Sequence, residues 1–535
     1  MLGRIVVVSG PIAAGKTTLS QLLSTRHNFR LVSTRELIHA ASSSKAPLDR
    51  VANQKVGDAL DRKTKGEWVL RGLRDVPPEE SIVVDAVRAK IQIDEIRKSF
   101  GSYRVTHLHL TAGAEVLAAR YEERAKRNGE TTSYEVAKHN PTEQRIEQLA
   151  READVLIDTE RASRDDVVVR LASHLGLYGR GTERLVDVMV GGQYGSEGKG
   201  HVASYLAPEY DVLVRVGGPN AGHKVYEGPS GSRTFYHLPS GTERALRAQI
   251  ILGAGAVIYL PRLKAEITSV GIDVDRLAID GQAMVVDEVD RAFEAQGLVG
   301  SIGSTGQGVG AATSRKVLRS SASPAVRLAR EVDDLKPFVK PTIELLDRAF
   351  AEHKRVFLEG TQGTALSLHH GSYPWVTSRD TTASGCLADA GIPPSRVRRI
   401  IMVCRTYPIR VANPAKGTSG PMTSEISWAE IASRAGLDGT ELEQLERGSV
   451  SGRLRRVSEF DWALLRRSAS LNGPTDISLS FADYISVKNR RARRFERLTP
   501  DTIQFIEEIE RVAGAPVSLI TTRFHFRSII DRRAW

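Results

Sequence analysis

Twice in this chain a short apolar run breaks into a glycine-rich loop and resumes with a helical pattern. Near the middle stands "MVGGQYGSEGKGHVASYL", residues 189–206, with five glycines within ten residues. Near the start stands "RIVVVSGPIAAGKTTLSQLLSTR", residues 4–26. A strand that feeds a helix through glycines leaves unpaired backbone N–H groups at the helix N-terminus, where an anion is favoured. This arrangement predicts a parallel α/β architecture and phosphate chemistry.

In the first loop Gly10, Gly15, Lys16 and Thr17 satisfy G-x-x-x-x-G-K-[ST], with Thr18 completing the turn into the helix. The glycines let backbone N–H groups wrap phosphates, Lys16 neutralises their charge, and the Thr17 hydroxyl suits Mg²⁺. Apolar runs then alternate with helix-periodic segments to about residue 175, as in a parallel sheet. Asp85 ends one such run, where a carboxylate can hold a metal or its water, and Arg88 follows within reach of an acceptor phosphate. Arg120, Arg124 and Arg127 have the spacing of a helix face that closes over phosphates as a lid, although surface ion pairing is the plainer reading of each alone. Taken together, residues 1–178 resemble nucleoside and deoxynucleoside monophosphate kinases.

Composition narrows the setting. Cys386 and Cys404 are the only cysteines and have no metal-ligand or redox spacing, which suits a reducing cytoplasm. No basic, apolar leader opens the chain and no run of about 18 apolar residues crosses it, so neither export nor membrane insertion is expected. The net charge of +11 fits nucleic acid, but equally fits an enzyme of nucleotides and dicarboxylates. The densest basic run, "KNRRARRFER" at 488–497, lacks interleaved aromatics and reads as a solvated helix face, so a nucleic-acid partner is not expected.

After the linker-like "GLYGRGTERL" at 176–185, the second loop opens a larger α/β unit, 184–535. Its motifs "GGQYGSEGKG", "VRVGGPNAGHKVY", "HLPSG", "IGSTGQGVGAATSRKVLR", "LEGTQGTALSLHHGSYPWVTSRDTTASG" and "GSVSGRLRR" occur in the order found in adenylosuccinate synthetases, a family this unit closely resembles. The resemblance implies that L-aspartate is joined to a 6-oxopurine nucleoside monophosphate. A nucleoside triphosphate would first phosphorylate O6, with Mg²⁺ required, and the aspartate amine would then displace the phosphate. It assigns Lys199 as the phosphate-loop lysine and His223 as the catalytic acid, with Gln362 also in the catalytic set. Gly195, Glu197, Gly198, Gly200 and Asp483 fall at triphosphate-binding positions, and the Gly222 carbonyl at a Mg²⁺ position. Asn220, Thr305, Gln362, Thr377 and Arg453 fall where the substrate nucleotide is held, and Ser451, Arg453 and Arg455 where aspartate is bound. Arg319 matches an arginine that crosses a dimer interface, which implies a homodimer.

Two departures carry information about specificity. The family has an aspartate where this chain has Ser196, and that residue acts as base toward purine N1 and ligates Mg²⁺. A serine hydroxyl does neither job comparably at neutral pH. It does leave room for a 2-amino group and can accept a hydrogen bond from it, which points to dGMP or GMP, as in the short viral synthetases that make succinyl-2-amino-deoxyadenylate. The second unit, at about 350 residues, is also short for a bacterial member of the family. "SFAD" at 480–483 replaces the family's "TKLD", keeping Asp483 but placing Phe481 at the lysine position. An aromatic ring cannot donate to guanine O6, so the phosphoryl donor is expected to relax from GTP toward ATP or dATP. A conventional enzyme acting on IMP and a nucleotide sensor with a disabled ligase remain open on the sequence. Ser367 and His369 also stand where the family tends to carry carboxylates, and the sequence gives no consequence for them.

Overall fold

The computed structural model describes residues 2–42, 50–128, 132–139, 141–178, 183–228, 231–319, 325–448, 452–525 and 527–534. The chain divides into two compact units, Met1–Tyr178 and Gly179–Trp535.

In the first unit, β1 (Ile5–Ser9), β2 (Arg30–Ser33), β3 (Ile82–Asp85), β4 (Val105–Thr111) and β5 (Val155–Asp158) form one sheet of order β2-β3-β1-β4-β5. Every pairing is parallel. All five residues of β1 are buried, because helices cover both faces of a parallel sheet and a central strand meets no water. Successive side chains serve opposite cores: Val6 and Val8 pack with Leu108 and Leu110, whereas Ile5 and Val7 pack with Ile82 and Val84. From β1 the chain runs first to the β2/β3 side and later to the β4/β5 side. Such a reversal leaves a crevice beyond the carboxyl end of β1, and the first glycine loop occupies it.

The second unit is built on a nine-stranded sheet, and His223 begins a separate two-stranded hairpin, His223–Gly228 with Gly231–Phe235. In order across the sheet the strands are Leu277–Ile279, Gln249–Leu252, Val212–Arg215, Val356–Glu359, Val186–Gly191, Val397–Arg405, Asp476–Ser480, Val517–Thr521 and Ile529–Asp531. All pairs are parallel except the last, which is antiparallel. Two large apolar clusters, one containing Val188, Val214 and Leu358 and the other Met189, Leu213 and Phe357, cover its faces. Gly191, Arg215, Glu359, Arg405 and Ser480 are the last residues of five neighbouring strands, so one edge of the sheet gathers them in a row.

The basic run 488–497 departs from its expected helix. It forms two short 3₁₀ turns, Val487–Arg491 and Phe495–Arg497, and Arg490 turns inward onto Asp483, Nε to Oδ2 at 3.0 Å. A buried carboxylate needs a partner, and that need overrides a uniformly solvated face.

Leu358 is fully buried in the strand that ends at Glu359. Leu358→Ala should destabilise the second unit by about 2–5 kcal/mol through lost transfer energy and the cavity left behind. Denaturant dependence of amide exchange in Val356–Glu359 measures this, and a change below about 1 kcal/mol would contradict the central placement of that strand.

Candidate active sites

In the first unit β1 turns through residues 10–15 into the helix Lys16–His27. Gly10 and Gly15 have φ of 140° and 96°, values an L side chain rarely adopts. A Cβ on Gly10 would also lie 2.5 Å from the Leu110 carbonyl oxygen of β4. The Lys16 ammonium is buried in the cup of the loop, where Nζ donates to the carbonyls of Gly10 and Pro11 at 2.7 Å each. Thr17 donates from Oγ1 to Asp85 Oδ2 at 3.0 Å. Burial pushes the Asp85 carboxyl upward from its ordinary range, against the opposing effects of the Thr17 bond and the Lys16 charge.

A cavity of about 1120 Å³ is bordered by this loop and by Asp85, Arg88, Arg120, Arg124 and Arg127, so the residues read as acceptor site and lid share one space. They differ in freedom. Arg120 is fixed on Thr159, through Oγ1 and the carbonyl at 2.9 Å each, and Arg127 forms an exposed pair with Glu123 at 2.8 Å. The Arg124 guanidinium lies 5.1 Å from the Tyr121 ring centre.

In the second unit the strand Val186–Gly191 leads into a loop whose helix, Lys199–Leu206, starts behind Gly198. The Glu197 side chain faces into the loop. It accepts from the N–H groups of Gly195 (2.7 Å) and Gln193 (3.1 Å), and from Lys199 Nζ at 2.7 Å. Glycines allow close approach on three sides: Cβ atoms on Gly195, Gly198 and Gly200 would fall 3.0 Å from Gln362 Cα, 3.2 Å from Ser480 Oγ and 2.8 Å from His223 Cβ. Ser196 is half-buried, with its carbonyl held by Arg405 Nη1 at 3.1 Å. Its hydroxyl has no hydrogen-bond partner among the described residues.

His223 is buried with Nδ1 on Glu359 Oε1, while Nε2 has no partner among the described residues. Glu359 also receives Arg215 Nη1 at 2.9 Å, Ser240 Oγ at 2.5 Å and Ser240 N at 2.7 Å. Burial alone would raise the Glu359 carboxyl, but Arg215 and then His223 and Ser240 hold it down at about 2. Burial, then the Arg215 charge, lowers His223 to about 4 against the opposing pull of Glu359, so the imidazole is neutral with a proton on Nδ1.

Some of the remaining expected residues are bridged to one another or to the Ser196 loop. Asn220 Nδ2 reaches Thr377 Oγ1 at 3.4 Å. Arg262 bonds the carbonyl of Pro219 and the side chain of Gln307, which in turn bonds the Thr305 carbonyl. Glu446 joins Arg405 (2.8 Å) to Arg455 (3.3 Å), tying the Ser196 loop to one arginine of the proposed aspartate loop. Arg453 donates to the Asn413 carbonyl at 3.2 Å. Ser451 lies outside the described residues. Gly222 directly precedes His223, and Arg319 is exposed at the end of the helix Val309–Leu318. Asp483 is buried, and burial raises its carboxyl to about 6 despite Arg490. The Phe481 ring lies under the Arg405 guanidinium at 4.2 Å.

Glu359, Arg215 and Glu446 were not singled out from the sequence. For Glu359 the signal was present in "VFLEG", a carboxylate ending an apolar run, as Asp85 does in "IVVD". Arg215 and Glu446 have no comparable local mark.

Two strand–loop–helix glycine loops, one of them beside a buried histidine–carboxylate pair, mark a nucleotide-binding enzyme. The second unit matches the family model for adenylosuccinate synthetase over residues 188–331 and 324–490, and the chain belongs to that family, a family of carbon–nitrogen ligases that uses Mg²⁺ and GTP. The first unit, whose strand, glycine loop and helix carry the G-x-x-x-x-G-K-[ST] pattern, matches a model described as an AAA domain over residues 6–157. The chain is 35% identical to the adenylosuccinate synthetase of Methanocaldococcus jannaschii over 353 residues, which are 65% of this chain and 96% of that protein. Among solved structures it is similar to the succinoaminodeoxyadenylate synthetase of cyanophage S-2L, solved with dGMP and with dATP as energy donor. There the TM-score is 0.56 at 30% identity, covering 66% of this chain and 96% of that one. The adenylosuccinate synthetase of Plasmodium falciparum, at 21% identity and a TM-score of 0.56, covers 65% of this chain and 100% of its own and shares the fold. No helix among the described residues is long and apolar enough to cross a membrane.

Burial holds His201 and His223 at about 4 and His237 at about 3. The free imidazole value is about 6.5, so between about pH 4 and 6.5 the unfolded chain binds more protons than the folded one, and stability falls as pH drops through that window. Glu359, already held low, adds to the loss only below the ordinary carboxylate range. The second unit should be less stable at pH 5.5 than at pH 7.5 by about 1 kcal/mol per histidine, offset in part by Asp483, whose raised carboxyl takes up a proton in the folded state near pH 6. Urea midpoints at the two values check this, and equal midpoints would mean that these imidazoles are not buried neutral.

Proposed function

We propose that the second unit joins L-aspartate to carbon 6 of a purine nucleoside monophosphate bearing a 2-amino group, dGMP or GMP. A nucleoside triphosphate drives the reaction through a 6-phosphoryl intermediate. The observation that carries this reading is Ser196, a hydroxyl without a partner among the described residues, in a loop that keeps Lys199 and faces His223. A carboxylate there would crowd the C2 edge of a 2-aminopurine, whereas a serine leaves space and can accept from the amino group. The likeness to a phage enzyme solved with dGMP and dATP supports the same substrate and an adenine donor. Phe481 in place of a lysine, and Asp483 already engaged by Arg490, argue further against strict recognition of GTP.

A lactam oxygen is a poor leaving group. O6 therefore attacks the γ-phosphorus as the N1 proton leaves to solvent, the nucleoside diphosphate departs, and the aspartate amine later displaces the phosphate from C6 and gives up a proton. Lys199 and the backbone N–H groups of the loop neutralise the transferring charge. His223 presents Nε2 to the reacting oxygens, and the arriving phosphoryl charge favours its protonated form, so that Nε2–H donates while Glu359 holds Nδ1. Arg453 and Arg455, with Ser451, bind the aspartate carboxylates, the guanidinium fork suiting two oxygens at once. The Ser196 hydroxyl and the Gly222 carbonyl are neutral hard oxygens that fit Mg²⁺ only if the nucleotide phosphates supply the charge. Thr17 with Asp85 offers a hydroxyl and a carboxylate for the same ion in the first unit. When bound, Mg²⁺ offsets the charge on the phosphates being transferred. The first unit phosphorylates a nucleoside monophosphate, with its arginines around the acceptor phosphate. A homodimer, in a cytoplasmic setting, would use the exposed Arg319 and the exposed apolar Val289, Phe293, Val317 and Leu318 on two packed helices.

Ser196→Asp should turn the enzyme from dGMP toward dIMP. The loss on dGMP should exceed the roughly 1–3 kcal/mol of a misfitted methylene, because an amino group is also displaced. The measurement is kcat/KM for dGMP over dIMP in both proteins at saturating Mg²⁺, aspartate and ATP. A ratio that does not change, or a parent that already prefers dIMP, would remove the steric reading. His223→Ala should cost ligation on the order of 10²–10⁴-fold, and Lys16→Ala should abolish nucleotide phosphorylation while sparing ligation. Near-normal ligation in the first variant, or equal loss of both activities in the second, would refute the assignment of the two sites.

A further inference from the structure

The cavity of the first unit has an acidic wall as well as its arginines. The helix Arg50–Thr64 carries Gln54, Asp58 and Asp61 at helical spacing on the face that borders the cavity. Asp61 is half-buried. Its Oδ1 accepts from Trp68 Nε1 at 2.6 Å and from Gln92 Nε2 at 3.0 Å, and its Oδ2 accepts from Gln92 Nε2 at 2.8 Å. Gln92 is buried, and its Oε1 accepts from the backbone N–H of Arg88 at 3.2 Å. Asp61 is thus one glutamine away from the arginine read as meeting the acceptor phosphate.

Each end of this chain of groups has a single polarity. The indole N–H of Trp68 and the backbone N–H of Arg88 can only donate, and a carboxylate can only accept. Gln92 therefore turns Nε2 to Asp61 and Oε1 to Arg88, because the reverse would set oxygen against carboxylate and N–H against N–H. Burial raises the Asp61 carboxyl, while the bonds from Gln92 and Trp68 favour its ionised form. Oδ2 holds one donor and an oxygen has room for two, so Asp61 still offers the cavity an acceptor. Asp58 adds a second negative charge close enough to act on Asp61. Asn53 and Gln54 border the same wall with amides that suit either a donor or an acceptor, so the carboxylates set its polarity.

We infer that the first unit accepts the monophosphate of an amino-bearing base, guanine, adenine or cytosine, and that Asp61 reads the base by accepting a hydrogen bond from its exocyclic amine. This rests on the reading of the first unit as a nucleoside monophosphate kinase. The acceptor phosphate meets the arginines and the base lies toward Asp61. One oxygen of that phosphate attacks the γ-phosphorus of the triphosphate, the bond to the departing nucleoside diphosphate breaks, and the acceptor becomes a diphosphate. Thymine, uracil and hypoxanthine have no amine and carry carbonyl oxygens instead, whose lone pairs the carboxylate repels.

The test follows diphosphate formation from ATP by the full chain, resolved by chromatography, without aspartate and with Lys16→Ala as the blank. The acceptors are pairs that differ at the amine: dGMP with dIMP, dAMP with dIMP, and dCMP with dUMP, each also in its ribose form, together with dTMP. The best acceptor should be an amino-bearing member. Its kcat/KM should exceed that of its partner by about 10- to 100-fold, the span of one hydrogen bond to a charged group. Asp61→Asn, which keeps the shape and exchanges an acceptor oxygen for an amino group, should bring that ratio down toward one. The paired comparison in the parent protein holds whether or not the variant folds. A best acceptor without an amine, equal use within the pairs, or an unchanged ratio in an active Asp61→Asn would overturn the inference and leave the kinase reading in place. No diphosphate from any acceptor would overturn both together.

Discussion

A charge can be buried at the end of a β-strand only where donors meet it, and Glu359 is the buried charge around which the second site is assembled. Its carboxylate receives Arg215, His223 and Ser240, which come from a neighbouring strand, from a hairpin and from the turn that follows it. Removing any donor would leave the others arranged around an incompletely matched charge. The orientation of His223 follows from this arrangement: with Nδ1 taken, Nε2 is the only ring atom left for a substrate.

The same economy of burial shapes the phosphate loop. Glu197 draws the loop N–H groups of Gln193 and Gly195 and the Lys199 ammonium together before any nucleotide arrives. Glu446 then binds Arg405, whose other nitrogen holds the Ser196 carbonyl. Ser196 is therefore placed by its backbone, and its side chain is free to differ from the family's aspartate without disturbing the loop. On the proposed reading, such a site changes its substrate by one residue, because specificity and scaffold would rest on different atoms.

Much of this was readable in the chain. The two glycine loops, the parallel α/β units and the family follow from local patterns, since phosphate binding needs a strand, a left-handed glycine and a helix in immediate succession. The basic run at 488–497 misled, because its helical spacing gave no sign that Arg490 would be drawn to Asp483. Glu359 was overlooked although its strand-end position repeats that of Asp85.

By itself the sequence determined which residues can carry charge, which turns demand glycine, and that residue 196 is a hydroxyl rather than a carboxylate. The tertiary structure alone decided which groups meet. Arg405 reaches Ser196 across 209 positions and Glu359 reaches His223 across 136, distances over which no local pattern survives. The physical reason is that a parallel sheet joins strands remote in sequence and brings their carboxyl ends to one edge. There the low dielectric makes each buried charge choose its partners, and those choices set proton positions that the order of residues does not record.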